Sequence, residues 1–232
     1  MLHKAASKRS FAYLGGSRFI AESRDLLMSE TIMPAFMAFP NHAAIIGRIL
    51  AGYGELEYLF ASCFAATLGD RQSGIRAFFR IKGEDSRIQI TSAIMRPKFD
   101  SVGMKDVYNE TLGAMRWCKG TRNQYAHCHW AYDIEDGLYF TDFDKAVKTE
   151  TGDIMLHVEH LDLEILKQQE AYFRYTLDLL RYLEPEYRKR VGELPSHRYE
   201  APSVKTQPPR HSPEGTYTPP VISLNRRRPP QE

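Results

Sequence analysis

Apolar residues recur at helical spacing over most of this chain, and the longest such run covers residues 42–68. Ile46, Ile49, Tyr53, Leu56, Phe60, Cys63 and Thr67 fall three or four apart, and Ile45, Leu59 and Phe64 widen the stripe. That spacing predicts a helix from about His42 to Leu68, with Asn41 as its N-cap and Gly69-Asp70 as its stop. A second helix is expected over Ser73–Ile81, carrying Ile75, Phe78 and Phe79. A third is expected over Ser86–Met95, stopping before Pro97. The fourth, Lys105–Ala126, lines Met104, Val107, Thr111, Met115 and Cys118 along one face. The period then shortens to two. Trp130–Ile134 and Leu138–Phe143 flank Glu135-Asp136-Gly137 and read as a hairpin, with Ile154–Val158 as a further strand. A last helix, about Asp162–Leu183, turns Ile165, Leu166, Tyr172, Phe173, Thr176, Leu177 and Leu180 inward.

The ends break this regularity. Residues 1–40 combine a basic start, the Gly15-Gly16 break, a short apolar stretch Ile20–Leu27, and interruptions at Pro34 and Pro40. They read as a partly ordered arm. From Leu194 onward proline, arginine and serine dominate, a composition that buries too little apolar surface to offset ordering entropy. The organisation expected is therefore an arm (1–40), one helical domain (41–190) and a disordered Pro/Arg-rich tail (191–232). The domain is a mainly α fold of four to five helices with a small β-hairpin before the last helix.

Composition changes the picture only modestly. A hydrophobic share of 43% and an aromatic share of 12% over 232 residues supply a real core. A net charge of +2 leaves any polyanion-binding surface to local clustering. Cys63, Cys118 and Cys128 show no paired spacing, which suits a reducing compartment. The start has no continuous apolar core of the kind a secretory leader needs, and no run approaches the roughly 20 apolar residues that span a bilayer. A soluble, cytoplasmic protein with no membrane association is expected.

Candidate chemistry concentrates in Arg122-Asn123-Gln124-Tyr125-Ala126-His127, at the end of the fourth helix. Arg is a permanent cation suited to phosphate, and His is the side chain that moves protons near neutral pH. Arg122 continues the apolar stripe, so it calls for a partner, because a buried unpaired charge is costly. Glu57, which continues the stripe of Tyr53 and Phe60, is the candidate partner, within one chain or across a dimer. Asn123 and His127, four apart, share a different flank.

With these residues in view, the chain resembles the HEPN family, helical modules marked by Arg, a polar residue, and His four to six positions after the Arg. "GELEYLF" on an early helix and "RNQYAHCHW" at the end of a later one are similar to a subset of small bacterial HEPN-like proteins, and the resemblance covers roughly residues 42–183. It implies a homodimer in which two motifs face each other and RNA as a partner. It also implies metal-independent RNA cleavage with no cofactor. His127 would be the general acid/base, Arg122 the group on the scissile phosphate and Asn123 the group that orients it, with Glu57, His129 and Trp130 in support. Toxin members regulated by a nucleotidyltransferase carry Tyr two positions after the His. His129 stands there in this chain, which departs from the pattern of that control, and the resemblance leaves any antitoxin or regulatory partner open.

A second reading keeps the same residues structural. Arg122 pairs with Glu57, Asn123 caps the helix, His127 fills a dimer seam, and the protein is a non-catalytic helical interaction module. A zinc site at His127, Cys128 and His129 lacks a second ligand pair. Cys118 and Cys128 fit no nucleophile pattern. The basic series Arg76, Arg80, Lys82, Arg87, Arg96 and Lys98 reads as a solvated face, and Arg226-Arg227-Arg228 as a solubilising end.

Overall fold

Pro34 and Pro40, expected to interrupt the chain, each open a helix instead. In this computed structural model Pro34–Ala38 forms α1 and Pro40–Leu68 forms α2. The first turn of a helix has no use for the N–H that proline lacks, and proline's fixed φ suits it. Helix α2 therefore begins ahead of the expected Asn41 cap. The structure describes residues 33–134, 137–143, 147, 155–156, 158–213 and 222–223. The basic start, the Ile20–Leu27 stretch, the turn residues Glu135 and Asp136, and Arg226-Arg227-Arg228 lie outside them.

The rest of the order is α3 (Arg71–Arg80), α4 (Glu84–Ser101), α5 (Lys105–His127), β1 (His129–Asp133), β2 (Gly137–Thr141), β3 (Met155–Leu156), β4 (Val158–Leu161), α6 (Leu163–Arg190) and β5 (Ile222–Ser223). The fold is mainly helical with a small antiparallel sheet, as the periodicity implied. No helix among the described residues is long and apolar enough to cross a membrane. The chain divides into two compact units. One comprises residues 47–123 and 168–208, the other the described parts of 1–46, 124–167 and 209–232. The division falls within α2, α5 and α6.

The helical unit is built on the expected stripes. Ile49, Tyr53, Leu56, Phe60 and Cys63 of α2 are all buried, as are Met104 just ahead of α5 and Thr111, Met115 and Cys118 on it, whereas Val107 is half-buried and its neighbour Tyr108 is buried. Asp70 caps α3, its carboxylate accepting from the Ser73 backbone N–H at 3.0 Å. Helix α4 overruns Pro97, where the sequence predicted a stop. The carbonyl that Pro97 leaves without a donor belongs to Ala93, which is exposed and open to water. The turn beyond is anchored by buried Phe99, stacked on Tyr108 with 4.9 Å between ring centroids. Burying such a ring contributes roughly 1.5–3 kcal/mol, of the order of the about 3 kcal/mol an interior proline costs. Helix α6 likewise runs past Pro185 to Arg190 because Leu183 and Tyr187 are still buried there.

In the second unit the predicted hairpin is present, with Asp133 opposite Gly137 and Trp130 opposite Phe140. The expected third strand is displaced. Val158–Leu161 adds to β2, Leu138 facing Leu161, so the order is β1-β2-β4, while Met155–Leu156 pairs with Ile222–Ser223. Trp130 is buried in an aromatic cluster with Phe36, Tyr125 and Phe140, at centroid distances of 5.2, 5.6 and 5.7 Å.

The segment after α6 differs from the disordered tail expected. Helix α6 closes on Gly192, whose φ of 83° suits a residue without Cβ. In the helical unit His197 then lies 2.8 Å from Glu186 Oε2. Glu186 is 7% exposed and also accepts from Arg190 at 2.7 Å. Apolar burial alone suggested disorder here, whereas this segment is tied down by polar contacts. The Arg190 hydrogen bond, with further support from His197 and Lys189, depresses the Glu186 carboxyl to about 2. A depressed carboxyl stabilises the fold above its ordinary value of 4.5, and that contribution is lost as the pH falls through about 2. Glu186→Gln should therefore lower stability by about 2 kcal/mol at pH 7, roughly 4–8 °C in Tm. The gap from wild type should close as the pH drops from 4.5 to about 2. Thermal melts of both proteins across that range check it, and a gap that persists at pH 2 would reject it.

Candidate functional site

Helix α5 carries the motif, and its stripe of buried residues sets where each side chain goes. Arg122, the next position on that stripe, has a side chain 31% exposed and is paired. Its Nη1 lies 3.1 Å from Glu84 Oε1 and donates to Asn123 Oδ1 at 2.8 Å, and the guanidinium sits 5.4 Å from the centre of the Tyr53 ring. The expected partner, Glu57, pairs with Arg87 instead. Arg87 also lies over the rings of Phe78 and Phe79, at 5.3 and 5.4 Å. Lys119, one turn before Arg122, pairs with Asp85.

The partners of Lys119 and Arg122 thus come from the first turn of α4, which begins two residues ahead of the expected Ser86 start. Glu84 and Asp85 are acidic residues at a helix N-terminus, favoured there by the helix dipole, and this was the available signal. The balance of charge matters. Arg122, Arg87 and Lys119 face Glu84, Glu57 and Asp85, so this region of the helical unit is a neutralised network. Burial pushes the Tyr53 hydroxyl well up, and the charges of Glu84 and Glu57 push it further, so the phenol stays protonated.

Beyond Asn123 the helix continues into the second unit. Tyr125 is 3% exposed and packs on Trp130 and Phe140, which fixes the rotation of the final turn. His127 is exposed and has no hydrogen-bond or ion-pair partner among the described residues. The Cys128 N–H donates to the Gln124 carbonyl at 3.0 Å and closes the helix. Asn123 does not cap that end, since its carboxamide oxygen is taken by Arg122. His129 is exposed, its ring edge-on to Phe143 at 4.4 Å. Trp130 is core, not the wall of a cleft.

The remaining candidates resolve simply. Burial raises the Cys118 and Cys128 thiols to about 12, which keeps both protonated. Among the described residues no group of three or more His, Cys, Asp and Glu is placed to hold a metal ion. In the helical unit a groove of about 190 Å³ lies between α2 and α6, with the Arg48–Glu170 pair at 2.5 Å on its rim. Ligand pockets usually span roughly 300–1,000 Å³, and this groove is smaller.

Chemically, the guanidinium has five N–H donors, and the two polar contacts of Arg122 among the described residues engage only Nη1. The imidazole of His127 is open to solvent and able to exchange a proton with a bound molecule. Set against known proteins, the chain matches no family model, no curated relative and no solved structure.

Proposed function

We propose that this chain is a HEPN-like protein that binds RNA and cleaves it without a metal as a homodimer, His127 serving as general acid/base and Arg122 contacting the scissile phosphate. The observation that carries the reading is the exposure of His127 on the last turn of α5, free of any partner among the described residues. A structural histidine normally spends its nitrogens on neighbours, whereas a proton-transfer group must reach its substrate. One imidazole supplies an acid or a base at a given moment. A second copy of the motif, brought by a twofold mate, would supply the other.

One observation favours the second reading, a non-catalytic interaction module. Arg122 is already engaged by Glu84, Asn123 and the Tyr53 ring. A phosphate would have to share the guanidinium with Glu84 or displace it. The test is RNA cleavage in EDTA by wild type and by His127→Ala. Cleavage by wild type and its loss in the variant are expected. Cleavage unchanged in the variant, or absent from both, would leave the interaction module.

A further inference from the structure

The C-terminal segment returns to the motif helix. Gln124 Nε2 donates to the carbonyl of Arg210 at 3.1 Å. Gln124 precedes His127 by three residues on α5, so the two are neighbours on the helix surface. Arg210 itself is exposed, and its guanidinium has no partner among the described residues.

What holds Arg210 there is the residue two positions on. Ser212 is 0% exposed, and its N–H donates to the His160 carbonyl at 2.9 Å, along the edge of β4. Its hydroxyl donates to Asp162 Oδ2 at 2.9 Å and accepts from the Asp162 backbone N–H at 3.2 Å. The single hydroxyl proton is spent on the carboxylate, so His160 Nδ1, 3.0 Å away, is the donor in its contact with Ser212. Serine, histidine and aspartate meet here, yet the serine is no nucleophile: it is sealed from solvent and bonded directly to the acid. His211 adds a contact from Nδ1 to Glu159 Oε2 at 3.2 Å. The segment is clipped at Ser212 and leaves the neighbouring guanidinium unspent.

We propose that Arg210 is a phosphate-contacting residue of the RNA surface at the end of α5, and that Ser212 is the positioning residue that keeps it there. This rests on the RNA reading above. A guanidinium held through the Arg210 carbonyl beside Gln124, with no counter-ion among the described residues, supplies a positive charge that the neutralised network around Arg122 does not. It also gives this part of the tail a role other than solubility.

The test is binding of a fluorescent single-stranded RNA by the full chain in EDTA, measured as anisotropy at several salt concentrations. Wild type is compared with Arg210→Ala, Arg210→Lys, Ser212→Ala and Arg174→Ala, the last an exposed guanidinium of the helical unit that controls for net charge. Arg210→Ala should weaken binding about three- to tenfold and reduce the slope of log affinity against log salt by about 0.7–1. Arg210→Lys should recover most of the slope, Ser212→Ala should reproduce the loss, and Arg174→Ala should bind like wild type. Equal affinity and slope for wild type and Arg210→Ala would overturn the proposal and leave the RNA reading standing. The same loss in Arg174→Ala would also overturn it, as an effect of net charge alone. Failure of wild type to bind RNA would remove both.

Discussion

Gly74→Val is expected to destabilise the helical unit by about 2–4 kcal/mol, lowering Tm by roughly 4–16 °C. Gly74 is buried on α3, and a Cβ at this position would lie 2.5 Å from the Ala65 Cα and 2.6 Å from its Cβ. The obstacle is backbone, so no rotamer change relieves it. Helices α2 and α3 meet here through two small residues, with Ala65 1% exposed, and Phe78 packs against Phe60 and Phe64 with centroids 6.0 and 6.5 Å apart. A side chain at residue 74 would push α3 away and open voids around Phe78.

An opposing effect makes this a real test. Glycine in a helix interior costs about 1 kcal/mol relative to alanine, so substitution would stabilise α3 were it free. Gly74→Ala measures that competition most directly. The clash is expected to win by about 1–3 kcal/mol, since a contact near 2.5 Å requires the helices to separate. Thermal or denaturant unfolding decides it. An unchanged or raised Tm for Gly74→Ala would show that the close approach is not a constraint.

His127→Ala is expected to abolish RNA cleavage in EDTA, with a loss of about 100-fold or more, while leaving Tm and the far-UV spectrum unchanged. Loss of a general acid/base typically costs 10²–10⁴ in rate. The unchanged stability follows from position: His127 is exposed and makes no hydrogen bond, ion pair or ring contact among the described residues that truncation would remove. This separates it from Arg122. Arg122→Ala would strand Glu84, whose side chain is 24% exposed, and would uncover the Tyr53 ring, so lost activity there would mix chemistry with folding. The informative result is therefore a folded His127→Ala protein. If that protein cleaves RNA as wild type does, the catalytic role proposed for His127 fails. If it loses both cleavage and RNA binding, the imidazole acts as a contact and not as an acid or base.

Much of the fold was legible because burial leaves a periodic trace. The α2 stripe from Ile46 to Thr67 and the α5 face from Met104 to Cys118 are where the spacing put them, except that Val107 is only half-buried. The hairpin pairs in the expected place, with Asp133 opposite Gly137. Helix ends were less legible. Pro97 and Pro185 reveal an absent N–H, but not whether the carbonyl it abandons faces water or whether a ring such as Phe99 or Tyr187 anchors the turn beyond.

The candidate site shows the same limit more sharply. The order of residues along α5 was enough to place Arg122 on the packed face and Asn123 with His127 on another, because those relations are helical geometry. The choice of Glu84 over Glu57 as the partner of Arg122, and of Arg87 as the partner of Glu57, depends on how α4 lies against α2 and α5. The return of Arg210 to Gln124 joins residues 86 positions apart through a segment whose composition suggested disorder. By itself the sequence determined the helices, their buried faces, the hairpin and the spacing of the motif, since each depends on neighbours a few residues away. Only the tertiary structure decided which charges meet, that His127 stands free of partners among the described residues, and that Ser212 binds the tail to β4. Those outcomes are set by long-range packing, to which local periodicity is blind.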